Sequence, residues 1–137
     1  GSAVQLRTQG RWQTQVARVF EAAARDHVQR MVSAGALPAD TVVGRWWKDE
    51  IAEVDVLGLA PHGPVLIGEC RWQTKPITER DLTELRRRAA HLPLATSDPT
   101  YAFWSRGGTN RTLASHPDVR GFTPSDILAT NGSLQPL

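Results

Sequence analysis

Glu53-Val54-Asp55-Val56-Leu57-Gly58-Leu59 and Val65-Leu66-Ile67-Gly68-Glu69-Cys70-Arg71-Trp72, separated by Ala60-Pro61-His62-Gly63-Pro64, decide how this chain is read. The two flanking runs are apolar and β-branched and the spacer is made of turn formers, so the stretch predicts an antiparallel hairpin. With the turn centred on His62, Asp55 faces Glu69 and Glu53 faces Arg71. Facing side chains have Cβ atoms about 5 Å apart. Two carboxylates at that spacing repel by roughly 3 kcal/mol at an effective dielectric of 20. Two arrangements answer that repulsion. In one, Asp55 and Glu69 share a hard divalent cation such as Mg²⁺, which takes one or two carboxylates plus waters and phosphate oxygens. In the other, Glu53 and Arg71 form a cross-strand ion pair while Asp55 and Glu69 splay into solvent.

Away from their charged ends, the hairpin strands are apolar on both faces. Alternation puts Val54, Val56, Leu66 and Cys70 on one face and Leu57, Leu59, Val65 and Ile67 on the other. A sheet buried on both sides needs helices on both sides. The flanking sequence supplies them. From Gln13 to Val32 apolar residues recur at Val16, Phe20, Ala23, His27 and Met31, the period of an amphipathic helix, which Gly35 and Pro38 end. Thr41–Lys48 reads as a strand leading into the hairpin. Thr78-Glu79-Arg80-Asp81 reads as a capping box opening a second helix, with Leu82, Leu85, Ala89 and Leu92 on its buried stripe and Pro93 as its stop. A strand at Tyr101–Ser105, a helical turn from Thr109 to Ser115, a strand at Val119–Phe122 and a last turn from Ser125 complete the chain. The predicted class is α/β, in the order α-β-β-β-α-β-α-β.

The chain has 137 residues, enough for one domain with its own core, and residues 4–137 are expected to form it, as part of a longer protein. Gly1-Ser2-Ala3 reads as a cloning remnant. The apolar fraction of 40% and charged fraction of 22% exclude a disordered chain. A formal net charge of +2 is too small to drive nucleic-acid binding by itself, so any such binding depends on where the basic residues lie. The single cysteine, Cys70, has no partner for a disulfide or zinc site, which points to a reducing, cytoplasmic setting. No stretch is apolar enough to predict a membrane span.

In this order the elements and motifs resemble the PD-(D/E)XK restriction-endonuclease-like superfamily, whose mixed sheet carries its motif acids on a central hairpin. The pattern of an acid followed at a distance by acid-x-Lys is met by Asp55 and by Glu69-Cys70-Arg71. The chain looks most like the C-terminal domain of archaeal-type P-loop ATPases, through Trp46-Trp47, Glu53-Val54-Asp55 and Gly68-Glu69-Cys70-Arg71-Trp72. The Phe-Trp-Ser strand and its Gly-rich turn are also similar to Mrr-type restriction endonucleases. The resemblance implies a nuclease-like domain acting on nucleic acid, DNA in the first place, with Asp55 and Glu69 holding Mg²⁺ or Mn²⁺. It also implies a supporting role for Glu21 on the first helix, and a P-loop ATPase partner outside this sequence. Arg71 stands where the family has lysine, and an arginine stays protonated at any working pH, so it can steady charge but cannot accept a proton. That departure opens a second expectation, a catalytically silent module that docks DNA or a partner. A third is a purely structural sheet domain whose acids are incidental.

Other residues carry weaker signals. Lys75, with Gln73, follows the motif strand and could contact a phosphate, although a solvated strand exit is the plainer reading. Arg106-Gly107-Gly108-Thr109-Asn110 offers a cation and backbone amides that suit phosphate, or a simple tight turn. Arg86-Arg87-Arg88 could track a phosphate backbone, and its plainer reading is the solvated face of the second helix. Adjacent strand residues point to opposite faces, so one of Trp46 and Trp47 belongs to the core and the other is available for contacts. His27 is expected at the core edge. The histidines have no metal-ligand spacing, and no Ser-His-Asp arrangement or P-loop Gly-Lys-Ser/Thr sequence is present.

Overall fold

A computed structural model describes residues 2–93 and 98–128. Its elements are α1 (Ser2–Ser33), β1 (Val42–Lys48), β2 (Ala52–Ala60), β3 (Gly63–Arg71), α2 (Glu79–Ala89), β4 (Thr100–Ser105), α3 (Arg111–Ala114), β5 (Val119–Phe122) and α4 (Pro124–Leu128). The last residues of the expected domain, 129–137, lie outside the described residues. The five strands form one mixed sheet in the order β1-β2-β3-β4-β5. Its first two pairings are antiparallel, and β3 pairs parallel with β4 and β4 with β5. This is the α/β class read from the sequence, with helices on both faces. No helix among the described residues is long and apolar enough to cross a membrane.

Each sheet face has its own core. On one side Phe20, Ala24, Val28 and Met31 of α1, with Ile127 of α4, pack on Val56, Leu66, Ala102 and Trp104. On the other, Leu82, Leu85 and Ala89 of α2, with Leu113 of α3, pack on Val54, Leu57, Ile67 and Phe103. Gly68 makes room for the first core, since a Cβ there would lie 2.5 Å from Cζ3 of Trp104. The Trp104 indole N–H donates to Nδ1 of His27 at 3.1 Å, which satisfies both of these ring nitrogens in the interior. His27 lies inside the core and not at its edge as expected. Burial, reinforced by Arg30, holds its pKa below the usual histidine range.

Helix α1 starts at Ser2, well ahead of the Gln13 where its apolar period begins. It therefore includes Ser2 and Ala3 of the expected cloning remnant. Helix α2 opens as read, with the Thr78 amide donating to Asp81 Oδ2 at 2.9 Å. Trp46 packs toward the α2-side core, and Trp47 is exposed with Arg45 over its ring.

Two irregularities change the faces expected from strict alternation. The hairpin turn is the two residues Pro61 and His62, closed by Ala60 opposite Gly63, where Gly63 takes a φ of 135°. The register then shifts by one at Val65, which restores the pairing of Gly58 with Leu66, Leu57 with Ile67 and Val56 with Gly68. Val65 consequently packs toward α1 instead of α2. On the other flank, Gly44 pairs with Leu57 and Trp46 with Val54, so Arg45 alone spans both Asp55 and Val56. This β-bulge explains why Val54 and Val56, two apart, lie in opposite cores.

Candidate functional site

The bulge decides where the acids go. Val54 faces α2, so Asp55 next to it turns to the α1 side, and the β2–β3 ladder ends at Val56 opposite Gly68. Past that point the Asp55 side chain takes over from the backbone, as the Cys70 N–H donates to its Oδ2 at 3.0 Å. Arg25 of α1 donates to the Asp55 carbonyl at 3.1 Å and ties the helix to the same spot. The Asp55 side chain is only 9% exposed. Burial pushes its pKa up to about 6; the hydrogen bond from Cys70 opposes the rise, and the charges of Glu21, Glu69 and Glu53 add to it. Glu21 of α1 bears on Asp55 more than Glu69 does. Cys70 is half-buried, and its thiol is pushed far above the usual range, first by desolvation and then by Asp55 and Glu21.

Glu69 lies one strand over and is 4% exposed. It turns to the α2 side, opposite to Asp55, so the two carboxylates expected to face each other do not converge, and its Oε1 accepts a hydrogen bond from Nη2 of Arg88. Its Oε2 lies 3.2 Å from Nη2 of Arg71, outside hydrogen-bond alignment, and is a buried oxygen without a hydrogen-bond partner. Arg71 also reaches Asp81 at 3.5 Å, the residue that caps α2. Arg71 and Glu69 thus share a face, as residues two apart should. The expected Glu53–Arg71 pair is not made: Glu53 lies opposite Trp47 and is paired with Arg45 at 3.4 Å. The bulge that turns Asp55 also leaves Glu53 facing β1.

Arg88 is the residue of this site that the sequence concealed. The run Arg86-Arg87-Arg88 reads as a solvated face, and Arg87 follows that reading, exposed and paired with Glu84 at 2.6 Å. Arg88 points inward, donating also to the Glu53 carbonyl at 3.3 Å. The available signal was helical spacing. Arg88 falls three residues after Leu85, next to the buried stripe, and a buried acid on β3 needs a cation from the layer above.

The segment after β3 is clamped to the loop after β4. The Gly107 N–H donates to the Gln73 carbonyl at 3.0 Å, and Ile77 bridges Thr109. A Cβ on Gly107 would meet the carbonyl oxygens of Thr74 and Lys75 at 2.4 and 2.5 Å, so only glycine permits this approach. Lys75 and Arg106, expected separately as nucleic-acid contacts, therefore sit on two loops held together. Arg106 lies over the Trp72 ring, 4.9 Å from its centroid.

The donor set can be compared with what a divalent cation requires. Asp55 and Glu69 offer hard oxygen ligands, one of them an orphaned buried oxygen, and Asp55 stands among three other carboxylates. One or two carboxylates suffice for Mg²⁺, which keeps several waters. Among the described residues there is no group of three or more His, Cys, Asp or Glu side chains placed to hold a metal by themselves. With the two acids on opposite faces, the fit is to a cation held by one carboxylate that brings waters and phosphate oxygens of its own.

No curated protein and no solved structure matches this chain. A family model matches residues 2–87, from α1 through most of α2 and including Asp55, Glu69 and Arg71. The chain belongs to that family, DUF234, described as archaeal and bacterial proteins of unknown function.

Proposed function

We propose that this domain is a member of the restriction-endonuclease-like class that hydrolyses phosphodiester bonds of nucleic acid with Mg²⁺ or Mn²⁺. The observation that carries the reading is that two buried carboxylates, Asp55 on the α1 side and Glu69 on the α2 side, sit on adjacent strands where the β2–β3 ladder ends. Asp55 and Glu69 would hold the cation. A bound Mg²⁺ or Mn²⁺ supplies an acidified water and polarises the phosphodiester. Arg71, fixed between Glu69 and Asp81, steadies the charge that develops on the phosphoryl oxygens. Glu21 lies on the Asp55 side, where it can orient a water. Lys75 and Arg106 hold the backbone of the nucleic acid. Cation binding by both acids calls for Glu69 to leave Arg88 and to come round the end of the ladder from the α2 side to the side of Asp55.

A second reading rests on that same ion pair. Glu69 held by two guanidinium groups, with arginine in the lysine position, fits a silent module that docks DNA or a P-loop ATPase partner. Cleavage assays on single-stranded, duplex and branched DNA and on RNA, each with Mg²⁺ and with Mn²⁺, separate the two. Cutting that disappears in the Asp55→Asn, Glu69→Gln double variant supports the enzyme. Binding without cutting, unchanged in that variant, supports the docking module.

A further inference from the structure

A groove of about 400 Å³ opens between α1 and α4, lined by Val16, Val19, Phe20, Trp72, Ile127 and Leu128 and almost wholly apolar. Val19 and Leu128 are exposed, and Trp72 keeps 45% of its surface exposed at the end of β3. The Trp72 ring is fixed from two directions. Phe20 meets it edge to face, with centroids 5.0 Å apart and planes at 69°, and Arg106 lies over it at 4.9 Å. The clamp at Gly107 holds the Arg106 loop in that position. A guanidinium over an indole face keeps donors free for a phosphate while it stacks.

We infer that this groove takes an unstacked nucleobase of a single-stranded nucleic acid, laid against Trp72, with Arg106 on the neighbouring phosphate. The inference rests on the nucleic-acid reading above and narrows its substrate class. An apolar trough beside an aromatic ring and a cation suits a base, whose face is apolar and whose polar edges can stay in water. A paired base has both faces stacked and cannot enter it. The trough follows directly on Arg71 in the chain and shares α1 with Glu21 and Arg25, so a strand seated there runs past Asp55. A partner protein could use the apolar wall but would have no need of a cation fixed over Trp72.

The test is fluorescence anisotropy in EDTA, where no cutting occurs, with labelled oligothymidylate, an abasic oligomer of equal length and a duplex. The parent is compared with Trp72→Ala, Trp72→Phe and Arg106→Gln, each checked for folding by circular dichroism. Oligothymidylate should bind more tightly than the abasic oligomer and the duplex. Trp72→Ala should weaken it by about tenfold or more, the worth of one base stacked on an aromatic ring. Trp72→Phe should recover part of the loss, and Arg106→Gln should weaken binding while reducing its salt dependence. Equal affinity for the oligothymidylate and abasic oligomers, or a folded Trp72→Ala that binds like the parent, would overturn the inference and leave the nucleic-acid reading standing. Failure to bind any of the three would remove both. Self-association lost in Trp72→Ala, with oligonucleotide binding unchanged, would give the groove to a protein partner.

Discussion

Arg88 of α2 and Glu69 of β3 form a buried ion pair that joins the helix layer to the sheet, with Arg71 against the other carboxylate oxygen. The pair explains how an acid can be so deeply placed on a central strand, because a buried charge without a partner is costly. It also sets the condition under which Glu69 could serve a cation: Arg88 has to give way.

Arg88→Met should therefore destabilise the metal-free domain by about 3–5 kcal/mol, the cost of removing one partner of a buried pair. Adding Glu69→Gln to Arg88→Met should recover part of that loss, because no charge is then stranded. Urea unfolding of the parent, both single variants and the double variant measures the coupling. Strictly additive effects would mean that the two residues do not act as a pair. In Arg88→Met, Mn²⁺ should raise the melting temperature more than it does in the parent, since Glu69 has been freed for the cation.

Asp55 should make stability depend on pH. Its folded pKa of about 6 lies above the ordinary 3.8, so between those values the folded chain keeps a proton that the unfolded chain releases. Stability from this group is full below the lower value and is lost as pH rises through the upper one. The loss is up to about 3 kcal/mol, from 1.36 kcal/mol per pKa unit. Asp55→Asn should flatten that slope and be the more stable protein at neutral pH without metal. Mn²⁺ should stabilise the parent and leave the variant unmoved. Identical melting profiles from pH 4 to 7 for the two proteins would contradict the assignment.

Arg71→Lys should keep or raise any cleavage, because lysine holds the same charge and restores the pattern of the nuclease superfamily. Asp55→Asn and Glu69→Gln should each abolish it. Turnover of a labelled oligonucleotide under Mg²⁺ and Mn²⁺ is the measurement. If neither the parent nor Arg71→Lys cuts any substrate, the docking module is the function that remains.

Gly107→Ala should cost about 1–3 kcal/mol, because its Cβ would press on backbone oxygens that cannot move aside as a flexible side chain can. Gly44 is the control. Nothing lies within 4 Å of a Cβ there, and Gly44→Ala should be neutral or slightly stabilising. Thermal melts of both decide the matter, and equal effects would show that the loop clamp carries no energy.

Where local signals and tertiary demands agreed, the sequence could be read directly. The apolar period of α1 after Gln13, the capping residues Thr78 and Asp81 and the two-sided apolar hairpin led to a mixed sheet between helices. The hairpin register came out right in its middle through two compensating details: a turn tighter than expected, and an extra residue at Val65. The bulge at Asp55 was hidden because alternation is the only cue to facing, and nothing in Val54-Asp55-Val56 signals a break in it. Arg88 was hidden for a different reason. A run of three arginines looks solvated until the acid beneath it is known, and that acid is distant in sequence.

The bulge in β2 has a consequence for comparing this chain with its relatives. One extra residue opposite Arg45 is an insertion that needs no loop and leaves the neighbouring apolar positions filled. A relative lacking it would align without a visible gap in hydrophobicity, yet would present the residue aligned with Asp55 to the opposite layer of the domain. Equivalence of acids within the family thus has to be judged by strand length between the Trp46-Trp47 pair and Gly68, and not by matching letters alone.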